Sequence, residues 1–550
     1  MSDKCVECAG TGRVGEGNER AGGVCVSEEI VRGKNPILGM DFPDPDVIFA
    51  DGCFYMVSTT MHFFPGGQIL RSYDLVHWEH AAYVYDTLDG TPGQRLEGEN
   101  HIYGKGMWAA CIRHHNGEFY VAFSCNDTQK TYLFRAPSIE GPWRRNIVEG
   151  YFYYDLSMLF DEDRVYMVHG HKEVYITELN SELTGPKEGG LHRLLISDKD
   201  NPILGYEGSH IYKINGEYWL FSIHSLATEW RRVEAAFHAK SLEDDFVGGD
   251  VLNFALSDRP DGFAQGGVVE GPEGVWHAVL FRDNGAVGRI PVVTEVDWID
   301  GDAGVELIAS EEFETTNLRP GYDYKPLYGS DDFSSSERKD FWQFNHEPVM
   351  ENVRYGNGEF AITTDKVCDK ITFAHNTLTQ RMHLPSSTAE VTIDAADLKD
   401  GDVAGLAAFQ GAYCYVGVQR DGGKYYAVYG EASSEEAKPG DPGDNGEDAD
   451  RASATADEST PEDPEIRERV ELDVKEGEAP KLRVRLSARF GSKDEAECFW
   501  KRGDEWMKIG PTHPLSFRLD HFTGCRFALF ACAKCEAGGT GRFTEFVYEN

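Results

Sequence analysis

A tight turn flanked by aromatic-rich, strand-like sequence recurs five times between residues 51 and 279, and this repeat constrains the fold more than any other property of the chain. The turns are Asp51-Gly52, Asn116-Gly117, Glu162-Asp163, Asn215-Gly216 and Glu273-Gly274. They lead into Cys53-Phe54-Tyr55-Met56-Val57, Glu118-Phe119-Tyr120-Val121, Arg164-Val165-Tyr166-Met167-Val168, Glu217-Tyr218-Trp219-Leu220 and Val275-Trp276-His277-Ala278-Val279. Each is a hairpin signal, and spacings of 46 to 65 residues leave room for a four-stranded sheet and its loops. No helical period interrupts the series. Five antiparallel sheets around one axis make a five-bladed β-propeller, with a β-sandwich or β-helix as the competing architecture.

The chain's 550 residues exceed what one core usually serves, so a second domain is expected. Beyond about residue 326 the five-fold spacing ends. Strand candidates such as Glu390-Val391-Thr392-Ile393, Ala404-Gly405-Leu406-Ala407-Ala408-Phe409 and Phe527-Ala528-Leu529-Phe530 predict a β-sandwich over 326–550, after a propeller over 35–325. Residues 1–34 are polar and Gly-rich and read as a disordered tail. From Glu431 to Glu465 the sequence holds 13 Asp and Glu, four prolines and no aromatic residue, which predicts a disordered acidic insertion within the second domain.

A formal charge of −41 disfavours nucleic-acid and anionic-membrane partners, while an aromatic content of 12% suits a neutral, stackable substrate such as a sugar. The first 40 residues lack the apolar run of a signal peptide, no apolar stretch reaches 18 residues, and a cytoplasmic location is expected. The 12 cysteines lie scattered in strand-like segments and read as reduced thiols. Cys5/Cys8 and Cys532/Cys535 each supply two ligands where a structural zinc needs four, so they read as incidental.

If the hairpins are equivalent, residues eight or nine positions before each turn occupy equivalent places. These are Asp44, Trp108, Asp155, Glu207 and Gln265, three of them carboxylates. Starting the innermost strand of each blade, they would converge at the mouth of the central channel. Like charges gathered there push one pKa upward, as an acid catalyst at neutral pH requires. A purely sugar-binding, lectin-like propeller is the alternative, but three carboxylates suit the gripping of a neutral sugar poorly.

The segments Asn35-Pro36-Ile37-Leu38, Phe42-Pro43-Asp44-Pro45-Asp46, Arg71-Ser72-Tyr73-Asp74-Leu75-Val76-His77-Trp78, Gly106-Met107-Trp108-Ala109, Glu207-Gly208-Ser209-His210 and Gly285-Ala286-Val287-Gly288-Arg289, in this order, resemble glycoside hydrolase family 43, of the β-xylosidase and α-L-arabinofuranosidase type. Asn376-Thr377-Leu378-Thr379-Gln380-Arg381 and Asp400-Gly401-Asp402-Val403-Ala404-Gly405-Leu406 resemble the concanavalin-like C-terminal domain of many β-xylosidases. The resemblance implies an inverting exo-glycosidase acting on terminal β-D-xylosyl or α-L-arabinofuranosyl units of short oligosaccharides. It implies Asp44 as general base, Glu207 as general acid and Asp155 as the residue that orients that acid and raises its pKa. Base and acid then lie roughly 6.5–9.5 Å apart, room for one water. Arg289 and Trp108 are the implied sugar contacts, with Gln265, His210 and Phe63 as further substrate-binding candidates. Three positions depart from the family pattern: Leu156 and Ala110 stand where proline is common, and Gln265 stands where many members carry a histidine that helps hold a central Ca²⁺. No metal or other cofactor is therefore expected to be required.

Overall fold

The computed structural model describes residues 29–256, 260–299, 304–432, 465–475, 477–517 and 522–550. Among them, regular structure is β-strand apart from three single-turn 3-10 segments. Five four-stranded antiparallel sheets form the propeller. Blade I comprises Asp46–Ala50, Cys53–Ser58, Gly66–Ser72 and Glu79–Tyr85, and blade II Met107–His115, Glu118–Cys125, Lys130–Ala136 and Arg144–Val148. Blade III comprises Ser157–Asp161, Arg164–His171, Glu173–Leu179 and His192–Ser197, and blade IV Glu207–Ile214, Glu217–Ser225, Arg232–Ala239 and Val247–Leu252. Blade V comprises Ala264–Glu270, Trp276–Asp283, Arg289–Trp298 and Val305–Ile308.

The repeated turns are the hairpins between the first two strands of each blade. In blades I, II and IV both turn residues are left-handed, as at Asp51 (φ 52°) with Gly52 (φ 79°) and Asn116 (φ 51°) with Gly117 (φ 77°), which matches the twist of the strands they join. The innermost strands of neighbouring blades pack side by side. Gly267 shows how closely: a Cβ there would lie 2.8 Å from the Val47 nitrogen of blade I.

Ring closure lies outside the blades, in a ribbon that pairs Glu29–Lys34 with Glu312–Asn317. The Asn35 amide then clips the ribbon to blade V, donating to the Val293 and Ser310 carbonyls while its oxygen accepts from the Val293 N–H. This corrects the sequence reading of 1–34 as a tail, since its last six residues are a strand. The strand is mostly exposed and has no apolar face, so hydrophobic periodicity could not reveal it. The rest of that tail, residues 1–28, lies outside the described residues.

The second domain stacks two antiparallel sheets over a core that includes Trp342, Val391, Leu406, Leu486, Phe527 and Leu529. Its eight-stranded sheet ends on Phe63–Phe64, a two-residue strand lent by blade I, which pairs with Phe344 and Asn345. The two domains therefore share a sheet. In the same sheet Lys424–Ala432 pairs with Glu465–Glu471, with Glu431 opposite Glu465, so the acidic insertion joins two neighbouring strands. The disorder expected of its residues 433–464 lies outside the described residues.

Candidate active site

At the channel mouth of every blade one residue takes the left-handed conformation: Asp44 (φ 50°), Ala109 (φ 36°), Asp155 (φ 45°), Gly208 (φ 57°) and Gln265 (φ 59°). The sequence count had placed Trp108 and Glu207 in this set, whereas each stands one residue before it. In blades II, IV and V the register shifts beside the left-handed residue, between Trp108 and Cys111, Glu207 and His210, and Ala264 and Gly266. Such a bulge re-aims the side chains next to it, here those of Trp108 and Glu207. Gly208 also meets a steric demand, for a Cβ there would lie 2.4 Å from Cδ of Gln265.

The carboxylate of Asp44 is held at both oxygens. Arg289 Nη1 donates to Oδ1 at 2.6 Å and the Thr59 hydroxyl to Oδ2 at 2.6 Å. Thr59 Oγ1 in turn accepts from the Ala109 N–H at 2.8 Å, tying Asp44 of blade I to blade II. Arg289 also reaches Asp283, whose other oxygen accepts from Arg232 at 2.7 Å. Those two guanidinium groups hold Asp283 below the ordinary carboxylate range although burial opposes it.

Asp155 is buried, and its Oδ2 accepts from the Gly208 N–H at 3.1 Å, which places it beside the backbone of Glu207. Burial, then the charges of Glu207 and Asp44, drive its pKa well above the usual range. Burial would raise Glu207 as well. There the hydrogen bond from His171, Nδ1 to Oε2 at 2.8 Å, together with Arg232 and Arg289, holds the group below its ordinary value. The upward shift expected at Glu207 thus falls on its neighbour Asp155, and the two carboxyls titrate as a pair. Tyr154 completes the cluster, its phenol pushed far upward by burial and by Glu207, Asp155 and Asp44.

The wall beside Arg289 comes from both domains. Phe522 of the second domain lies under the Arg289 guanidinium, 3.7 Å from its ring centroid, and meets Trp108 edge-on at 5.2 Å. The Gly285–Arg289 segment makes this approach feasible: the Cys525 N–H donates to the Ala286 carbonyl, and a Cβ on Gly288 would lie 2.6 Å from the Gly524 nitrogen.

Two of the proposed sugar contacts fall elsewhere. Phe63 is buried between the domains with Arg526 3.5 Å over its ring, so no sugar reaches it. His210 is buried in the channel, with Nδ1 3.1 Å from Asp46 Oδ1. Gln265 stays on the ring, its side chain against Gly208 and its N–H donating to Glu234 at 2.7 Å. Thr59, Tyr154, His171, Arg232 and Phe522 were not among the sequence candidates.

The resemblance to family 43 raises a Ca²⁺ in the channel near Gln265, where Asp46 is a buried carboxylate packed against Gly267. Both its oxygens are engaged: Oδ2 by Arg113 Nη1 at 2.6 Å and the Ile112 N–H, Oδ1 by His210 and the Val47 N–H. Arg113 and His210 pull its pKa down to about 2 against the effect of burial. A calcium ion requires about six or more oxygen ligands. Among the described residues no cluster of three or more His, Cys, Asp or Glu could hold a metal, and the donor set does not fit calcium. Nor do Cys532 and Cys535 form a ligand pair, one being buried in a strand and the other exposed beyond it.

A five-bladed propeller whose mouth gathers carboxyls from three blades beside a pinned arginine defines an enzyme of the glycoside hydrolase class. Residues 33–302 match the model of glycosyl hydrolases family 43, and residues 330–442 that of the beta xylosidase C-terminal concanavalin A-like domain. The chain belongs to glycoside hydrolase family 43. It is 25% identical over 474 residues to a β-xylosidase of Formosa agariphila, covering 73% of this chain and 77% of the relative. It is 26% identical over 336 residues to a non-reducing-end α-L-arabinofuranosidase of Bacteroides ovatus, covering 58% and 61%. Among solved structures, a bifunctional GH43-CE protein of Bacteroides eggerthii superposes with a TM-score of 0.80 at 33% identity, over 94% of this chain and 63% of that longer one.

Proposed function

We propose that this enzyme removes single terminal β-D-xylosyl or α-L-arabinofuranosyl units from short oligosaccharides with inversion. The observation that carries the reading is the placing of Asp44 and Glu207 on separate blades of one mouth, where Phe522 and Trp108 wall the space beside them. In this mechanism Asp44 takes a proton from water through a lone pair that Arg289 and Thr59 leave unused, and the water attacks the anomeric carbon. Glu207 protonates the departing glycosidic oxygen. Asp155 accepts the Gly208 N–H, which fixes the backbone beside the acid. The wall supports exo-action, because a polymer running through the site needs an open groove.

Aryl β-D-xyloside and aryl α-L-arabinofuranoside, assayed side by side, test the activity, and xylo-oligosaccharide digests test the mode. Single pentoses are the expected products, and release of mainly xylobiose and longer fragments from xylan would overturn the exo assignment. We further propose turnover without a bound metal, since Arg113 already neutralises Asp46. Dialysis against EDTA should leave kcat unchanged, and a loss reversed by Ca²⁺ alone would refute this. The proposed place of action is the cytoplasm, a reducing compartment that suits the nine described cysteines, all free thiols.

A further inference from the structure

The acid of the proposed mechanism faces a difficulty that the geometry itself resolves. Glu207 must carry a proton at the start of each turnover, yet its Oε2 is joined to His171 Nδ1 by a 2.8 Å hydrogen bond among two arginines, Arg232 and Arg289, that favour its ionised form. Each hydrolysis takes the proton from Glu207 and deposits another on Asp44. The enzyme is reset only when Asp44 loses a proton to water and Glu207 regains one.

We propose that His171 is the proton-supplying partner of Glu207: as imidazolium it passes its Nδ1 proton to Glu207 Oε2, and the resulting imidazole is reprotonated from solvent. This rests on Glu207 being the general acid. The bonds balance, since the Nδ1–H bond breaks as the Oε2–H bond forms, and solvent restores the proton to the ring. His171 acts through Glu207 and is a positioning and proton-holding residue, not one that touches substrate.

Three features of the fold suit it to this task. The His171 side chain is 23% exposed and that of Glu207 16%, so solvent reaches the pair. The bond spans two blades but is set by the backbone, because the Lys172 N–H donates to the carbonyl of Tyr206, the residue before Glu207, at 2.7 Å. A Cβ at Gly170 (φ 139°) would lie 2.1 Å from the Glu173 oxygen, so the turn that carries His171 tolerates no side chain there. The charged and titratable groups around the pair are Asp155, Asp44, Arg232 and Arg289 on the Glu207 side. Tyr154 meets the His171 ring edge-on at 6.0 Å, and Lys172 and Glu173 follow on the same chain segment.

The test compares His171→Asn, which keeps an amide donor but cannot carry a proton, with His171→Ala, using xylobiose and 2,4-dinitrophenyl β-D-xyloside. On xylobiose, whose leaving group needs protonation, both variants should lose about tenfold or more in kcat, whereas the dinitrophenyl substrate should change less than about threefold. The second substrate also reports that the variants are folded. Added imidazole should restore xylobiose turnover by His171→Ala. A wild-type kcat and pH profile for His171→Asn on xylobiose overturns the proposal, as does an equal loss on both substrates without imidazole rescue. Wild-type enzyme inactive on both substrates would instead remove the functional reading on which the proposal stands.

Discussion

Arg289 shows how few atoms organise the pocket: one guanidinium pins Asp44, the proposed base, shares Asp283 with Arg232 and lies on the ring of Phe522. The roles assigned to the two acids separate by leaving group. Glu207→Ala should cut turnover of xylobiose severely and of an activated aryl glycoside far less, while Asp44→Ala should cost on the order of 10²-fold or more on both. Comparable losses for Glu207→Ala on both substrates, with Asp44→Ala nearly intact, would reverse the assignment. Glu234 makes a different prediction. Burial pushes its carboxyl up to about 8, relieved only in part by the Gln265 N–H, and its second oxygen has no hydrogen-bond partner among the described residues. The folded state therefore binds a proton that the unfolded chain releases near pH 4.5, so this group lowers stability as pH rises from about 4.5 through 8. Glu234→Gln should raise the melting temperature at pH 8 and leave it nearly unchanged at pH 4.5; thermal scans at the two pH values decide. Asp44 was legible in the sequence because prolines bracket it at a phase the repeat defines, and Asp155 because it shares that phase. His171 and Thr59 were not, since each sits at a strand end with no local signal and acquires meaning only when a neighbouring blade is placed beside it. Phe63 misled because aromatic character marks burial as readily as sugar stacking.

Among the elements, the hairpin turns were the readable part. Asp-Gly and Asn-Gly pairs state their conformation in two residues, and the structure uses them as such in blades I, II and IV. The other end of each inner strand carries a left-handed residue with no common identity, being Asp, Ala, Asp, Gly and Gln in turn. Counting from the turns located this position to within one residue, and the two blades in which it fell one short, II and IV, carry a bulge beside it. The ribbon strand Glu29–Lys34 escaped because it buries almost nothing. The acidic insertion can be tested at this scale. The ladder between its flanking strands runs from Tyr426 opposite Glu471 to Glu431 opposite Glu465 and needs only a turn to connect it. Replacing 433–464 by a four-residue Gly-containing turn should shift the melting temperature by no more than a few degrees and leave kcat unchanged. A large fall in either, seen by calorimetry or by aryl-xyloside assay, would show that the insertion contributes contacts of its own.

For the molecule as a whole, the second domain is part of the proposed active site, through Phe522. The change of strand style near residue 326 announced two domains, but nothing in it disclosed that they share a sheet or that an aromatic ring crosses between them, because such contacts join residues hundreds of positions apart. Phe63–Phe64 fills the edge of the eight-stranded sheet, the Ala286 N–H donates to Asp494, and Phe522 stands against Arg289 and Trp108. A propeller cut after residue 325 would expose Phe63 and Tyr103, which pack against Phe409, Tyr413 and Phe530, to water, and it should aggregate or melt well below the intact chain. That outcome alone could reflect lost packing, so Phe522→Ala separates support from function. Phe522 is buried and ends in the pocket wall, away from the shared sheet, and its removal deletes one aromatic face without breaking a strand. The melting temperature should fall by only a few degrees. KM for xylobiose should rise by about tenfold, because Arg289 and Trp108 lose the ring that orders them and water enters the site. The product pattern should move too, with xylobiose appearing beside xylose in digests of longer oligosaccharides as the wall opens. An unchanged KM together with exclusive release of single pentoses would show that the second domain serves the propeller's stability and leaves its selectivity to the five blades.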